Sequence, residues 1–277
     1  MNDTDRGEQP AEAAQVLSGL VSARSSVRAF RDRDVSDAEV RSILDVASRA
    51  PSRNNTQPWR VYIARRPTIQ AVADTLEAEE ISGKALLETP AEHEPYRGRR
   101  EQWERQLFGL MKLDPDDPEA RGVLRHRDYA FHGAPVAMFV TVEDRLGEDA
   151  RISAGMFVQT VLLAAEGHGM GTCVHSVHNS YEKLLRPILG ISEHETQVCA
   201  IALGYADATA PANWLAASRA SQDEWVHFVD ASPVHSPTPE CQTALSKQES
   251  GDRQESRLRH QRWSDALLPR GPRLVIA

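Results

Sequence analysis

"ISAGMFVQTVLLAAEGHGMG", residues 152–171, decides how the chain is read. It is rich in apolar residues and closes in glycines, which predicts a nearly buried central helix rather than a surface one. The closing glycines read as a helix stop and as a place where other backbone can approach closely. A helix of this kind needs apolar partners, and flanking segments supply them. "APVAMFVTV" (134–142) has the length of a buried strand, "QVCAIALGYA" (197–206) reads as a second central strand, and "WRVYIAR" (59–65) as a third.

Upstream, Ser36 is a good N-cap with Glu39 three residues on, a capping box, and Val40, Ile43, Leu44 and Ala47 form the buried stripe of a helix that ends by Pro51. An earlier helix is expected from Val16, with Val16, Leu17, Leu20 and Val21 at helical spacing, running into "RSSVRAF" (24–30). Residues 67–130 are charged and mostly helical, with Trp103, Leu107, Phe108 and Met111 on one stripe and a loop at "LDPDDPEA". They read as an excursion over the core. The order of elements points to one α+β domain over 16–230, preceded by a flexible segment (1–15) and followed by a Ser-, Gln- and charge-rich extension (231–277).

Composition narrows the partners. The 277 residues carry a formal net charge of −8, and neither a nucleic-acid backbone nor an anionic membrane is attracted by such a field. No apolar run is long enough to span a bilayer, and the acidic start is unlike a secretory leader. Cys173, Cys199 and Cys241 are odd in number and widely spaced. That suits free thiols in a reducing compartment, so a cytoplasmic location is expected.

Any anion site must therefore be local. Arg24 and Arg28 are four apart, with Ser25 and Ser26 beside them, and this set forms either an anion cradle or a solvated helix end. "PSRNNTQPW" (51–59) crowds Ser52, Asn54, Asn55, Thr56 and Gln57 between two prolines, as an ordinary connection or as a rigid polar loop around a ligand. "GHGMGT" (167–172) is not a dinucleotide fingerprint, because its spacing differs and it ends a helix instead of opening one. In "CVHSVH" (173–178), strand alternation would put Cys173 and His175 on one face and His178 on the other, and no second ligand pair follows. No metal is expected. Neither a nucleophile elbow nor a phosphate-binding P-loop occurs. Trp103, Phe108, Tyr129 and Phe131 are either core or the wall of a pocket.

Taken in order, "RSSVRAF", the helix ending in "APSRNNTQPW", "GMFVQTVLLAAEGHGMGTC" and "IALGYADATAPANWLAASRASQDEWVHF" resemble the FMN-dependent nitroreductase family, from about residue 18 to about residue 230. The resemblance implies a three-layer α+β fold: a central mixed, mainly antiparallel sheet flanked by helices, in a homodimer with FMN at the interface. It places Arg24, Ser25 and Ser26 at the flavin phosphate, Arg28 near N1 and O2, and Arg219 as a second phosphate contact. Pro51, Ser52, Arg53, Asn55 and Gln57 would reach the partner's flavin, and His175, Ser176 and Val177 would border N5. The 67–130 segment would be the family's variable cover, making Trp103, Phe108, Tyr129 and Phe131 candidate acceptor contacts. The implied reaction is ping-pong reduction of nitroaromatic or quinone-like compounds: NADH or NADPH gives hydride to flavin N5, and the acceptor follows at the same place. No catalytic side chain is required. The same resemblance leaves open another redox reaction, such as oxidation of a biosynthetic intermediate, dehalogenation or flavin breakdown, and a non-catalytic flavin-binding role.

Overall fold

The computed structural model describes residues 5–81 and 93–229. Four strands, β1 (Trp59–Arg65), β2 (Val136–Glu143), β3 (Gly171–His175) and β4 (Glu195–Gly204), form one sheet in the order β1-β2-β4-β3. Every pairing in it is antiparallel. The expected mixed sheet is thus corrected: the parallel element is a single isolated bridge, Ser26 to Thr172. A register shift between Val140 and Thr141 marks a bulge in the β2–β4 ladder.

Alternation along the central strands sorts the core into two faces. Val136, Met138, Val140 and Val142 of β2, with Cys199, Ile201 and Leu203 of β4, pack against α2 (Asp37–Ala47) and α6 (Gly147–Gly167). Ala137 and Phe139, with Ala200 and Ala202, face the other side. There they meet α3 (Arg66–Ile81), the end of α5 (Pro118–Tyr129) and Leu185 of α7 (Glu182–Leu189). Helix, sheet and helix make three layers. Ser36 and Glu39 form the expected capping box, and α6 buries nine side chains or small residues from Ala150 to Ala165.

Three boundaries differ from the sequence reading. The first helix, α1, runs Asp5–Ala23 and so takes in residues expected to be irregular; its Ala-, Glu- and Gln-rich start has high helix propensity. Helix α3 buries Ile69, Val72, Ala73 and Leu76 against the sheet, so it is core, and the cover begins only with α4 (Tyr96–Met111). Sequence charge hid this because α3 carries its apolar residues on one stripe among acids. The residues through Ser218 form one compact unit, and Arg219 opens a second, earlier than the boundary expected at 230. Within that second unit Ser221 and Glu224 cap a short 3-10 turn, Gln222–Glu224. The 231–277 extension lies outside the described residues, as does Cys241.

Candidate active site

The basic segment 24–30 is seated on the sheet by two glycines. Gly171 and Gly204 face each other across β3 and β4. A Cβ on Gly171 would lie 2.4 Å from a Val27 methyl, and one on Gly204 would lie 2.6 Å from Pro135 and 2.9 Å from the Phe30 ring. Only a residue without a side chain admits these neighbouring side chains this close. Val27 N–H then donates to Thr172 O at 2.8 Å, and Arg31 N–H to Tyr205 O at 2.8 Å. The last glycine of the opening motif, Gly171, therefore marks the seat of the arginine segment.

A second clamp comes from the 205–214 segment. Arg28 N–H donates to Asn213 Oδ1 at 2.6 Å, while Asn213 Nδ2 donates to Ala29 O and Asp207 O, both at 2.8 Å. Asn213 was not singled out from sequence, although it lies in the last of the four motifs; nothing local distinguishes it from an ordinary turn asparagine. Held this way, the Arg28 guanidinium donates to Ser26 O at 3.1 Å and lies 5.2 Å from the Trp103 ring centre. Neither Arg24 nor Arg28 has a carboxylate at ion-pair distance among the described residues.

Beside Arg28 opens a cleft of about 470 Å³, with Trp103, Leu107, Phe108 and Met111 of α4 on one wall, α5 on another, and Val177 and Ala212 at its base. Trp103 and Phe108 thus line the cleft, one of the two alternatives the sequence leaves open for them. Tyr129 and Phe131 do not: both are fully buried in the core cluster under α3, with Phe131 stacked on His178 at 4.3 Å between ring centres. They cannot touch an acceptor, and the correction has a simple cause. Alternation and helical spacing give a residue's face, but not which face the cleft occupies.

The 173–178 segment also departs from expectation. β3 ends at His175, and the chain turns through a 3-10 helix, Val177–Tyr181, so His178 returns to the side of His175, 5.7 Å away between ring centres. The His175 side chain is buried and Ser176 exposed, while Val177 lines the cleft. Burial pushes the His175 imidazole down to about 3 and His178 to about 4, and pushes the Cys173 thiol up to about 11. His132, Cys173 and His175 each offer a ligand-type atom, all within 4.8 Å of one another, a grouping that spacing along the chain concealed. Asp128 Oδ1 lies 3.1 Å from His132 Nε2 and 3.8 Å from His175 Nδ1. Burial raises the Asp128 carboxyl, and the hydrogen bond and charge of His132 together with the charges of His175 and Arg28 hold the group below its ordinary value.

The polar loop lies elsewhere. Ser52 accepts from Gln57 N–H at 3.0 Å, Gln57 donates to Asn55, and Arg53 pairs with Asp149 in the first turn of α6. Asn54, Asn55 and Gln57 have positive φ (51°, 57° and 46°), a conformation uncommon for residues with side chains. Pro51 and most of the loop are exposed. Its neighbour Ser153 and the α6 end at Gly167 are about 20 Å apart at a rise of about 1.5 Å per residue. The loop and the arginine segment therefore occupy opposite ends of one helix. Arg219 belongs to the second unit.

Fold and site together define an α+β protein with a basic segment clamped at the sheet edge beside an aromatic-walled cleft. The described residues include no helix long and apolar enough to cross a membrane. Comparison places this architecture: residues 21–205 match the nitroreductase family, and the chain belongs to that family. The 4-nitrobenzoate reductase of Nocardioides sp. (strain LMS-CY) is 34% identical over 225 residues, covering 78% of this chain and 91% of the relative. The 4-nitrobenzoate reductase of Pseudomonas putida is 31% identical over 216 residues, covering 76% and 94%. Among solved structures, the FMN-dependent nitroreductase NfnB of Mycobacterium smegmatis, in complex with NADPH, superposes with a TM-score of 0.72 at 26% identity, over 79% of this chain and 100% of that one.

Proposed function

We propose that this protein is an FMN- and NADPH-dependent nitroreductase acting on nitroaromatic compounds. The observation that carries the reading is the seated arginine segment: two guanidiniums without carboxylate partners among the described residues, with Ser25 and Ser26 between them, and the second of them, Arg28, lining an aromatic cleft. The donor set suits a flavin mononucleotide. Guanidinium forks and hydroxyls match phosphate oxygens, and a fixed positive charge suits the side of the ring that becomes anionic on reduction.

Bound FMN would supply the two-electron carrier between the nicotinamide and the nitro group. The chain's own part is positional. Arg24, Ser25 and Ser26 would hold the phosphate. Arg28, its backbone clamped by Asn213, would present its charge to the pyrimidine side of the ring without reorganising. Trp103 and Phe108, both on the α4 wall, would pack against an aromatic acceptor and keep water out. Val177 is the cleft-lining member of the 175–177 stretch, so His175 and Ser176 would contribute through backbone at most. Arg219 is retained as a proposed second phosphate contact.

A homodimer completes the site in this reading. The 51–57 loop, about 20 Å along α6 from the arginine segment, would serve the flavin of the partner subunit. Val16, Leu17 and Val21 on α1 and Ile152 and Met156 on α6 leave apolar surface exposed, which supports burial against a second copy.

The decisive experiment is the visible spectrum of the purified protein, followed by anaerobic addition of NADPH and then of nitrobenzene. A yellow protein that bleaches with NADPH and recovers with the nitro compound is the expected result. A colourless protein that FMN does not reconstitute overturns the reading.

A further inference from the structure

The cleft carries more positive charge than flavin binding uses. Arg28, Arg121, Arg125 and Arg127 line it against two carboxylates, Glu104 and Asp128, an excess of two positive charges in a chain of net −8. The acids are already engaged, Glu104 with Arg100 at 2.9 Å and Asp128 with His132 at 3.1 Å. Arg125 is paired too, with Glu80 at 2.7 Å. Arg121 and Arg127 have no carboxylate at ion-pair distance among the described residues. Arg127 spends one donor on Arg28 O at 3.3 Å. Arg121 is held by its Nε–H to Pro115 O at 2.9 Å, with its guanidinium carbon 5.5 Å from the Phe108 ring centre.

That arrangement keeps an arginine fork stationary beside an aromatic wall, with its terminal nitrogens free of acids. Planar guanidinium donors match a planar carboxylate in a bidentate pair, and pre-organisation reduces the ordering cost. The apolar wall would take a benzene ring. We propose that the cleft has an anion subsite, with Arg121 as its anchor and Arg127 adding charge, and that it selects nitroaromatic acids, compounds bearing a carboxylate on the ring, over neutral and cationic nitroaromatics. The proposal rests on the nitroreductase reading and deepens it.

The test uses a charge series on the purified, FMN-loaded protein: 4-nitrobenzoate, nitrobenzene and (4-nitrobenzyl)trimethylammonium. The order of kcat/KM expected is anion over neutral over cation, with the anion's advantage shrinking as salt is raised. R121Q should lower kcat/KM for 4-nitrobenzoate about tenfold or more, the worth of a charge-assisted hydrogen bond, and lower it for nitrobenzene by a clearly smaller factor. Arg121 is an exposed residue, and an unchanged urea midpoint with FMN retained reports that the fold survives in the variant. R121E should invert the preference toward the cation. Calorimetric titration with 4-aminobenzoate, which has no nitro group to reduce, should bind the parent protein and weaken in R121Q.

Equal kcat/KM across the series, or an equal loss for anion and neutral in R121Q, overturns the subsite. A rise confined to the KM for NADPH in R121Q assigns the charge to the dinucleotide phosphates and overturns it as well. Absence of turnover with every nitro compound would instead refute the nitroreductase reading, so the two failures are distinct.

Discussion

The two ends of α6 make opposite uses of similar polar chemistry. At its C-terminal end the arginine segment is locked to the sheet by a glycine pair, two backbone hydrogen bonds and Asn213. At its N-terminal end the 51–57 loop holds itself together, keeps three residues at positive φ and turns its polar side chains outward. The first is a backbone seat finished within one chain. The second has the form of a part offered to something else, which is why a flavin reading leads to a second subunit. Rigidity in the seat and exposure in the loop should therefore respond very differently to substitution.

The sharpest break is at Gly171. G171A drives a Cβ into Val27, and because the obstacle is a β-branched side chain on clamped backbone, a loss of about 2–3 kcal/mol is expected. Urea unfolding measures it. Adding V27A should recover much of the loss, and independent, additive effects in that double-mutant cycle would show that the close approach is not what the glycine serves.

Next in size is an acid effect on the layer behind the seat. His175 and His178 are buried neutral, with folded pKa values of about 3 and about 4. Both groups are depressed relative to the unfolded chain, which therefore binds more protons between those values and about 6.5. Stability should fall as pH falls through that window, by about 2–3 kcal/mol between pH 7 and pH 5.5 for the two together. Denaturant midpoints across the range test this, and H178F, which keeps a ring stacked on Phe131, should remove about half of the slope.

The seat and the loop then separate functionally. R28A should weaken FMN retention about tenfold or more, by loss of charge-assisted contacts, as read by equilibrium dialysis, with little change in unfolding midpoint. The smallest effect is at the loop's tie to α6. Arg53 and Asp149 are largely exposed, so R53A should cost no more than about 1 kcal/mol. If R53A also lowers FMN retention in the dimer fraction on gel filtration, the loop serves the flavin across the interface; unchanged retention would make it a structural connection.

The sequence by itself determined three of the four strands, the capped α2, the buried α6 and the order of four motifs, because apolar periodicity, caps and glycine stops act over a few residues. It also located the arginine segment and two of the four proposed cleft aromatics, Trp103 and Phe108. Tertiary structure alone decided the rest. Tyr129 and Phe131 are aromatics in a charged region like the other two, yet the chain turns them into the core. Gly204 gains its meaning only opposite Gly171, Asn213 only against Arg28, and His178 only once the strand stops at His175. His132 meets Cys173 and His175, and Arg121 reaches the cleft, through packing of segments remote in sequence. Such partnerships are set by which faces the layers bury, and local spacing carries no record of that choice.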